Sequence, residues 1–435
     1  MEEFKINENL IYMEFESDIL CFNKLEELLN SGFTLEDSPY VSIKLKKDNL
    51  TIILSYTKLD RSMINEHILS NLKDLENTSV YKPNFNNSLL NVVEGIKNNY
   101  QSIDPKYDID YKLFDKKYDN YIILILDGLG TNILEGNMKE NSFLRSHFYK
   151  NISAIYPSTT AAATTSIKSG KTPLETGWTG WQNYFKELNR NIVLFNGMNY
   201  YTREKGDKTA FDLNPYDPFF KDLNVKASIV EPDFKKNKSF KHTLKKSLKG
   251  LKNGDSIQYV YDGQPDTSLH HLGDFNKSIR KLLKKYDRYI KWYSKKLPKN
   301  TLLMISADHG HKDVKPIALY SCNLITSLLE RPISNDARCA TFKVKENEKE
   351  LFKDRFNKLF GSIYDLYDSK DARLLIGNKE DIESNRTSDN LADFVAVAKS
   401  EFYFEFFESP FKFKSHHAGY TKDEMEIPLI VYRKE

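Results

Sequence analysis

Apolar residues along the chain form several short runs without polar alternation, separated by longer stretches with helical periodicity. The clearest run is Tyr121-Ile-Ile-Leu-Ile-Leu126, and the absence of alternation is typical of a strand covered on both faces. Comparable strands are predicted at residues 121–126, 257–261, 301–305 and 429–432. The helix predicted at residues 276–297 carries one apolar stripe, which consists of Ile279, Leu282, Leu283, Tyr286, Ile290 and Tyr293. This alternation predicts an α/β fold with a mostly parallel central sheet and helices on both faces.

The first part of the chain has a different pattern. Residues Ile11 to Phe15 are typical of a strand, and Lys24 to Leu29 are typical of a helix that ends near Gly32. Two further strands, in residues 41–45 and 50–56, flank a polar turn and predict a hairpin. We therefore predict a small N-terminal α+β accessory domain in residues 1–83. It shows no catalytic motif, so a structural role or the binding of a protein partner is expected.

The larger domain is predicted to cover residues 84–435. Within it, residues 316–412 separate two groups of candidate site residues and carry mixed signals, including the strand-like Ala340–Val344 and the helical Glu348–Leu359. An insertion of this size beside a site is typical of a cap subdomain that influences substrate choice.

Composition narrows the class of protein. The 435 residues are 40% hydrophobic and 13% aromatic, which is ample for a large core, and the formal net charge is only +3. Charge therefore gives no support for a nucleic-acid or membrane-surface partner. The start of the chain is acidic, and no apolar run approaches the roughly 18 residues of a membrane span. Together with three scattered cysteines, Cys21, Cys322 and Cys339, these features predict a cytoplasmic protein.

Candidate chemistry is concentrated near predicted strand ends. Asp127 follows the strand at 121–126, and three short segments hold six of the nine histidines. These segments contain Asp266 with His270 and His271, Asp308 with His309 and His311, and the pair His416 and His417. Carboxylates and imidazoles that converge at strand ends are a typical transition-metal site, so metal chemistry is the leading hypothesis.

A cluster of hydroxyl residues gives a candidate nucleophile. Thr160 lies in Tyr156-Pro-Ser-Thr-Thr160-Ala-Ala-Ala-Thr-Thr-Ser166, where the alanines favour a helix and the preceding hydroxyls suit its start. A hydroxyl at a helix N-terminus would face a phosphate group. Taken alone, Thr160 is also compatible with an ordinary helix-capping role.

The order of these motifs along residues 84–435 resembles the alkaline phosphatase superfamily, and within it the bacterial proteins related to type I phosphodiesterases and nucleotide pyrophosphatases. The motifs are strand-Asp-Gly, Pro-Ser-Thr-Thr, Pro-Asp-x-x-x-His, Asp-His-Gly, and His-x-Gly followed by Glu-Met-x-Ile-Pro. The resemblance also includes Asn84–Leu90 and Gly177-Trp-Thr-Gly-Trp181. Each motif alone is weak, whereas five in this order are specific.

The resemblance implies two divalent metal ions and a nucleophilic threonine. It assigns Asp127, Asp308, His309 and Thr160 to one ion, and Asp266, His270 and His417 to the other. His416 stays an alternative to His417, and His271, His311 and His416 are interpreted as neighbours that orient a ligand, touch substrate or lie at the surface. The mixed nitrogen and oxygen ligands suit Zn²⁺ best and Mn²⁺ next.

Three positions depart from the family pattern. Ala163 stands where many members have an asparagine that holds a phosphate oxygen, so a backbone N–H, Thr164 or another group must replace it. Leu269 occupies a common glycine position, and Ala418 separates His417 from Gly419.

The resemblance implies hydrolysis of a phosphodiester or pyrophosphate through a phosphothreonine intermediate. The substrate would be a small molecule such as a nucleotide. A phosphomonoesterase, a phosphonate-ester hydrolase or a mutase-like phosphoryl-transfer enzyme could use the same residues. A non-catalytic module that binds a nucleotide or a metal is the alternative from another class. Four aromatic residues after the nucleophile could stack on a nucleobase or pack in the core, namely Trp178, Trp181, Tyr184 and Phe185.

Overall fold

The computed structural model describes residues 2–7, 10–15, 18–36, 42–48, 50–56, 80–101, 104–232 and 239–435. The strands are β1 Glu2–Asn7, β2 Leu10–Phe15, β3 Thr34–Glu36, β4 Ser42–Lys47, β5 Leu50–Tyr56, β6 Asn120–Leu126, β7 Phe148–Ser153, β8 Gln182–Phe185, β9 Arg190–Val193, β10 Ala227–Val230, β11 Ile257–Asp262, β12 Thr301–Ser306, β13 Lys312–Asp313, β14 Lys315–Ile317, β15 Ser334–Asp336, β16 Cys339–Phe342, β17 Tyr364–Asp368, β18 Phe394–Ala398, β19 Phe402–Phe404, β20 Ser415–His416 and β21 Glu426–Lys434. The α-helices are Asp18–Asn30, Leu89–Tyr100, Thr131–Asn137, Phe143–Ser146, Thr160–Ser169, Pro173–Thr176, Ala210–Leu213, Phe240–Lys252, Asp266–Leu272, Lys277–Lys296, Asn323–Thr326, Lys349–Phe360, Ser369–Ile376, Thr387–Leu391 and Lys422–Met425.

A six-stranded sheet in the order β10-β11-β6-β12-β21-β7 forms the centre of the larger domain. Strands β10, β11, β6 and β12 are parallel, whereas β21 is antiparallel to both of its neighbours, β12 and β7. The predicted mostly parallel α/β sheet is therefore confirmed, and the four predicted strands correspond to β6, β11, β12 and β21. Strands β7 and β10 were not predicted.

The apolar runs form the centre of this sheet because both of their faces are covered. Every residue from Tyr121 to Leu126 is buried. The helix Lys277–Lys296 confirms the helix predicted at 276–297, and its buried side includes Ile279, Leu283, Tyr286, Ile290 and Tyr293. Each such side chain contributes roughly 1.5–3 kcal/mol when it leaves water, which holds the helix against the sheet.

A second six-stranded sheet, in the order β17-β18-β16-β15-β8-β9, is antiparallel throughout. The predicted insertion at 316–412 supplies β15 to β18. The other two strands, β8 and β9, precede the insertion, and Gln182 of β8 pairs with Asn335 of β15. The sheet that contains the predicted cap strands is thus assembled from two separate parts of the chain.

The N-terminal residues form a five-stranded sheet in the order β1-β2-β5-β4-β3, together with the helix Asp18–Asn30. The predicted strand at residues 11–15, the helix at 24–29 and the hairpin of β4 and β5 are confirmed, although Val41 lies outside the described residues. Met13, Leu25 and Leu28 belong to the same apolar cluster as Leu324 and Leu328. The N-terminal unit therefore packs on the cap side of the molecule.

Candidate active site

Three neighbouring parallel strands deliver candidate site residues to one edge of the central sheet. Asp127 follows β6 directly, Asp308 and His309 follow β12, and Asp266 begins the helix that comes after β11. The carboxyl ends of parallel strands meet at the same edge, where open α/β sheets place their sites. Thr160 and His417 reach this edge from the helix Thr160–Ser169 and from the segment after β20.

The first cluster consists of Asp127, Asp308 and His309, which are all buried. Nε2 of His309 lies 3.3 Å from Oδ1 of Asp127 and 3.7 Å from Oδ2 of Asp308. Oδ1 of Asp308 accepts hydrogen bonds from the backbone N–H groups of Gly128 and His309, at 3.1 and 3.0 Å. Oδ2 of Asp308 is buried and has no hydrogen-bond partner among the described residues, so it is free to bind a cation.

Gly128 makes this arrangement sterically feasible. Its φ of +71° lies in the left-handed region. A Cβ atom there would lie 2.8 Å from the ring of His311 and 3.1 Å from Asp266. A side chain at this position would therefore push the two clusters of the site apart.

The second cluster contains Asp266, His270, His311 and His417. The Nε2 atoms of His270, His311 and His417 lie 3.2, 2.7 and 3.6 Å from Oδ1 of Asp266. His416 is outside this group, and its ring packs on Phe413 with 4.4 Å between ring centroids. Of the two, His417 lies within reach of Asp266, and its role as a ligand stays a prediction from the sequence.

Three histidines are oriented by hydrogen bonds from the ring nitrogen that faces away from the site. Nδ1 contacts a backbone carbonyl oxygen in each case, that of Gly310 for His309, Ser415 for His270 and Ser158 for His417, at 2.9, 2.8 and 3.0 Å. Because a carbonyl can only accept, Nδ1 carries a proton, and the neutral ring presents the lone pair of Nε2 to the site. This tautomer is the one found in metal-ligating histidines.

The electrostatics of the two clusters call for added positive charge. Burial and the neighbouring carboxylates of Asp308 and Asp266 raise the pKa of Asp127 well above its usual range. Burial opposes protonation of His309, but Asp308 and Asp127 outweigh it and raise its pKa to about 10. Burial also opposes ionisation of Asp266, but His270 and His311 lower its pKa well below the ordinary value. A divalent cation at each cluster would supply the charge that protons otherwise provide, so the residues fit two metal ions.

Thr160 lies against the first cluster. Its Oγ1 is 3.2 Å from Nε2 of His309 and 3.4 Å from Oδ1 of Asp127. The ring of His309 stacks on that of His417 at 3.8 Å, which brings the second cluster next to the first. All seven candidate residues from the sequence thus converge on one site, and their catalytic and metal-binding roles stay predictions.

Two residues, Tyr261 and His311, contact the carboxylates of the site, and the sequence did not predict these contacts. The hydroxyl of Tyr261, near the end of β11, donates a short hydrogen bond to Oδ2 of Asp127. His311 is fully buried and contacts Asp266, whereas His271 is exposed at the mouth of the site. A tyrosine near a strand end was the available signal for Tyr261, but strands are rich in tyrosine for packing reasons alone.

A cavity of about 380 Å³ opens beside Thr160, Asp266 and His417. Its aromatic lining consists of Trp181, Tyr200, Tyr403, Phe404, Phe406, Phe407, Phe411 and Phe413. Of the four aromatic residues singled out in the sequence, Trp178 and Phe185 are buried in an apolar cluster, and Tyr184 stacks on the guanidinium of Arg331 at 3.5 Å. Trp181 alone of the four lines the cavity, with 42% of its surface exposed.

Within the described part of the chain, no helix is both long and apolar enough to cross a membrane.

Comparisons with known proteins agree with this architecture. Residues 121–419, more than half of the chain, match the model of the type I phosphodiesterase/nucleotide pyrophosphatase family. Murine ectonucleotide pyrophosphatase/phosphodiesterase 5 has a similar structure, with a TM-score of 0.55 and 14% identity over 72% of this chain and 88% of that one. An inactive threonine-to-alanine variant of the murine protein, in complex with AMP, has a TM-score of 0.56 and 13% identity over 72% of this chain and 88% of that one.

Phosphonoacetate hydrolase from Sinorhizobium meliloti 1021, in complex with phosphonoformate, gives a TM-score of 0.55 and 13% identity over 74% of this chain and 92% of that one. At these identities the structural similarities concern the fold. A comparison with curated proteins gives no match.

Proposed function

The chain belongs to the type I phosphodiesterase/nucleotide pyrophosphatase family, and from this premise we propose that it hydrolyses a phosphodiester or pyrophosphate by nucleophilic attack of Thr160. The observation that carries the proposal is the position of the Thr160 hydroxyl, in contact with His309 and Asp127 of the first of two adjacent carboxylate–imidazole clusters. Attack forms a bond from Oγ1 to phosphorus with loss of the hydroxyl proton, and breaks the bond to the leaving oxygen, which takes up a proton as it departs. Water then hydrolyses the phosphothreonine ester and restores the hydroxyl.

Asp127, Asp308 and His309 would hold one divalent ion, and Asp266, His270 and His417 the other. When bound, the ions supply Lewis-acid stabilisation of the attacking and leaving oxygens and lower the pKa of a coordinated hydroxyl or water. Three carboxylates and three imidazoles suit Zn²⁺ best, with Mn²⁺ as the alternative. The free Oδ2 of buried Asp308 and the three Nε2 lone pairs support this assignment.

The start of the helix Thr160–Ser169 provides a place for the phosphate oxygens. Thr159 is the N-cap residue, but its side chain donates to Oδ2 of Asp336 at 2.9 Å and does not cap the helix. The backbone N–H groups of Ala161 and Ala162 therefore have no acceptor among the described residues. They are positioned to bind an anion, as helix N-termini do.

This backbone site accounts for the alanine at position 163. Thr164, the other candidate to replace the family's asparagine, donates its hydroxyl to the carbonyl of Thr160 at 2.7 Å and is thus committed to the helix. The backbone N–H groups are the better candidate.

The cavity supports a leaving group with an apolar or aromatic part. Trp181 is 42% exposed and lines the same cavity as Thr160, together with seven further tyrosine and phenylalanine side chains, which suits a nucleobase. Murine ectonucleotide pyrophosphatase/phosphodiesterase 5, in its inactive variant, is in complex with AMP. A small nucleotide ester is therefore the proposed substrate class. The accessory domain at residues 1–83, its protein partner and the cytoplasmic location stay predictions from the sequence.

The test compares three substrates in the presence of Zn²⁺ or Mn²⁺: bis-p-nitrophenyl phosphate, a nucleotide 5′-p-nitrophenyl ester and p-nitrophenyl phosphate. We expect turnover of the diesters and a loss of about a thousand-fold or more in kcat for Thr160→Ala, because the nucleophile itself is removed. Thr243→Ala is the matched control, since Thr243 is a buried threonine on the separate helix Phe240–Lys252. Preference for the monoester would reassign the enzyme as a phosphatase, and turnover that survives Thr160→Ala would refute the nucleophile.

A further inference from the structure

A chain of hydrogen bonds connects the second cluster to a carboxyl group outside both clusters. Nε2 of His311 lies 2.7 Å from Oδ1 of Asp266, and Nδ1 of His311 lies 2.8 Å from Oγ of Ser415. Oγ of Ser415 in turn lies 2.5 Å from Oδ1 of Asp274. His311, Ser415 and Asp274 are at most 3% exposed, so water does not compete for these contacts.

The distances separate His311 from the other histidines of the cluster. Two ligands of one tetrahedral ion, each with a bond of about 2.0–2.1 Å, lie roughly 3.3–3.4 Å apart. His270 and His417 are 3.2 and 3.6 Å from Oδ1 of Asp266, which matches that spacing. The 2.7 Å of His311 is shorter and is typical of a hydrogen bond to a carboxylate. His311 therefore contacts a ligand and does not join the ligand set.

The hydrogens of the chain can be ordered from these contacts. A hydrogen on Nδ1 alone would leave the lone pair of Nε2 facing a carboxylate oxygen at 2.7 Å, which is repulsive. In the neutral ring, a hydrogen on Nε2 makes a good bond to Asp266, and Nδ1 accepts from the hydroxyl of Ser415.

This order places a requirement on Asp274. The single hydrogen of Ser415 is already donated to His311, so the 2.5 Å contact between Ser415 and Asp274 needs a hydrogen from the carboxyl group. Burial raises the pKa of Asp274 to about 7, so the protonated carboxyl is well populated near neutral pH and below. With Asp274 donating to Ser415, Ser415 to His311 and His311 to Asp266, every hydrogen in the chain of contacts faces an acceptor.

We propose that Asp274, Ser415 and His311 are positioning residues that direct one N–H of His311 onto Asp266 and so fix this carboxylate for the second metal ion. The inference rests on the proposed function, in which Asp266 binds a divalent ion. Hydrogen-bond partners of metal ligands set ligand orientation and basicity, and their loss lowers metal affinity by about 10- to 100-fold.

The test measures metal binding directly, by elemental analysis, by competition with a chromophoric chelator and by the visible spectrum of Co²⁺-loaded protein. We expect wild type to bind two ions. His311→Ala and Asp274→Ala should weaken one of them by about 10- to 100-fold, while the Co²⁺ spectrum at saturation keeps its wild-type form because the ligands are unchanged.

Asp274→Asn is the informative control. Its amide can donate to Ser415 as a protonated carboxyl does, so it should retain the affinity that Asp274→Ala loses. Equal affinity in wild type and Asp274→Ala, or equal losses in Asp274→Asn and Asp274→Ala, would overturn the proposal. A Co²⁺ spectrum of His311→Ala with one nitrogen ligand fewer would make His311 a ligand and also overturn it. Wild-type protein that binds no second ion would instead reject the proposed function.

Discussion

The buried ion pair of Arg338 and Glu424 allows a prediction with a defined magnitude. Nε and Nη2 of Arg338 donate to the two carboxylate oxygens of Glu424 at 2.7 and 2.8 Å. Arg338 also donates to the carbonyls of Ser400 and Phe402, at 2.8 and 2.5 Å. Neither charged side chain is exposed to solvent. The pair joins the second six-stranded sheet to the segment that follows His417.

Arg338→Met removes one charge and leaves Glu424 buried. Removal of one partner of a buried pair costs about 3–5 kcal/mol. Glu424 would still accept from the backbone of Gly419 at 2.7 Å and from the hydroxyl of Thr421 at 2.6 Å, so we expect the lower end, about 3 kcal/mol. The double variant Arg338→Met/Glu424→Gln removes the unpaired charge and should recover a large part of the loss.

Urea unfolding, followed by tryptophan fluorescence, measures these free energies. The reasoning would be refuted by a loss below about 1 kcal/mol in Arg338→Met, or by a double variant no more stable than the single one. Metal affinity should also fall in Arg338→Met, because the carbonyl of Glu424 accepts from the N–H of Gly310, which adjoins His309.

Four further outcomes are expected. Trp181→Ala should raise KM for the nucleotide ester several-fold more than for a dialkyl phosphodiester, because only the nucleotide ester has aromatic groups that can stack on the exposed indole; equal effects in a steady-state comparison would argue against stacking. Burial raises the pKa of Asp262 to about 6, so the folded state holds the carboxyl proton more tightly than the unfolded chain does. The contribution of this protonated carboxyl to stability is complete below about pH 4 and is lost as pH rises through about 6. Asp262→Asn, which can still accept from Tyr286, should therefore be more stable than wild type by about 3 kcal/mol at pH 8 and similar at pH 4, as measured by urea unfolding; no difference between the two pH values would contradict this. A chelator should lower the melting temperature, and added Zn²⁺ should restore it. Each bound ion adds about 2.7 kcal/mol to the free energy of unfolding when free metal is a hundred times Kd. An unchanged melting temperature would count against the metal sites. Removal of residues 1–83 should leave turnover per folded molecule intact but lower stability, because Leu324 and Leu328 lose apolar neighbours; a folded but inactive truncation would contradict that.

The sequence predicts the buried strands of the central sheet well and its edge strands poorly. Tyr121–Leu126 is recognisable because a strand covered on both faces needs apolar residues at every position. Strand β7, Phe148–Ser153, is at the edge of the sheet and is mostly part-exposed, so its composition carries little signal. The antiparallel direction of β21 was likewise invisible, because apolar periodicity contains no information about strand direction.

The candidate site shows the same division. Asp127, Asp308 and His309 are adjacent to apolar runs, so strand prediction alone places them at one sheet edge. The contact of His311 with Asp266 depends instead on how the helix Asp266–Leu272 turns back over Gly128, which only the tertiary structure shows. The sheet that contains the predicted cap strands is a similar case, since the pairing of Gln182 with Asn335 joins residues far apart in the chain.

The position of β21 has a consequence for how the protein is made. This strand lies inside the central sheet, between β12 and β7, although it is the last of the six to leave the ribosome. Until it is synthesised, β12 and β7 each present an open edge that can pair with other chains. The segment that carries His417 is completed only just before β21. A chain terminated before His417 would thus be both prone to aggregation and unable to assemble the second cluster, so the complete candidate site and the closed sheet arise in the same late step of biosynthesis.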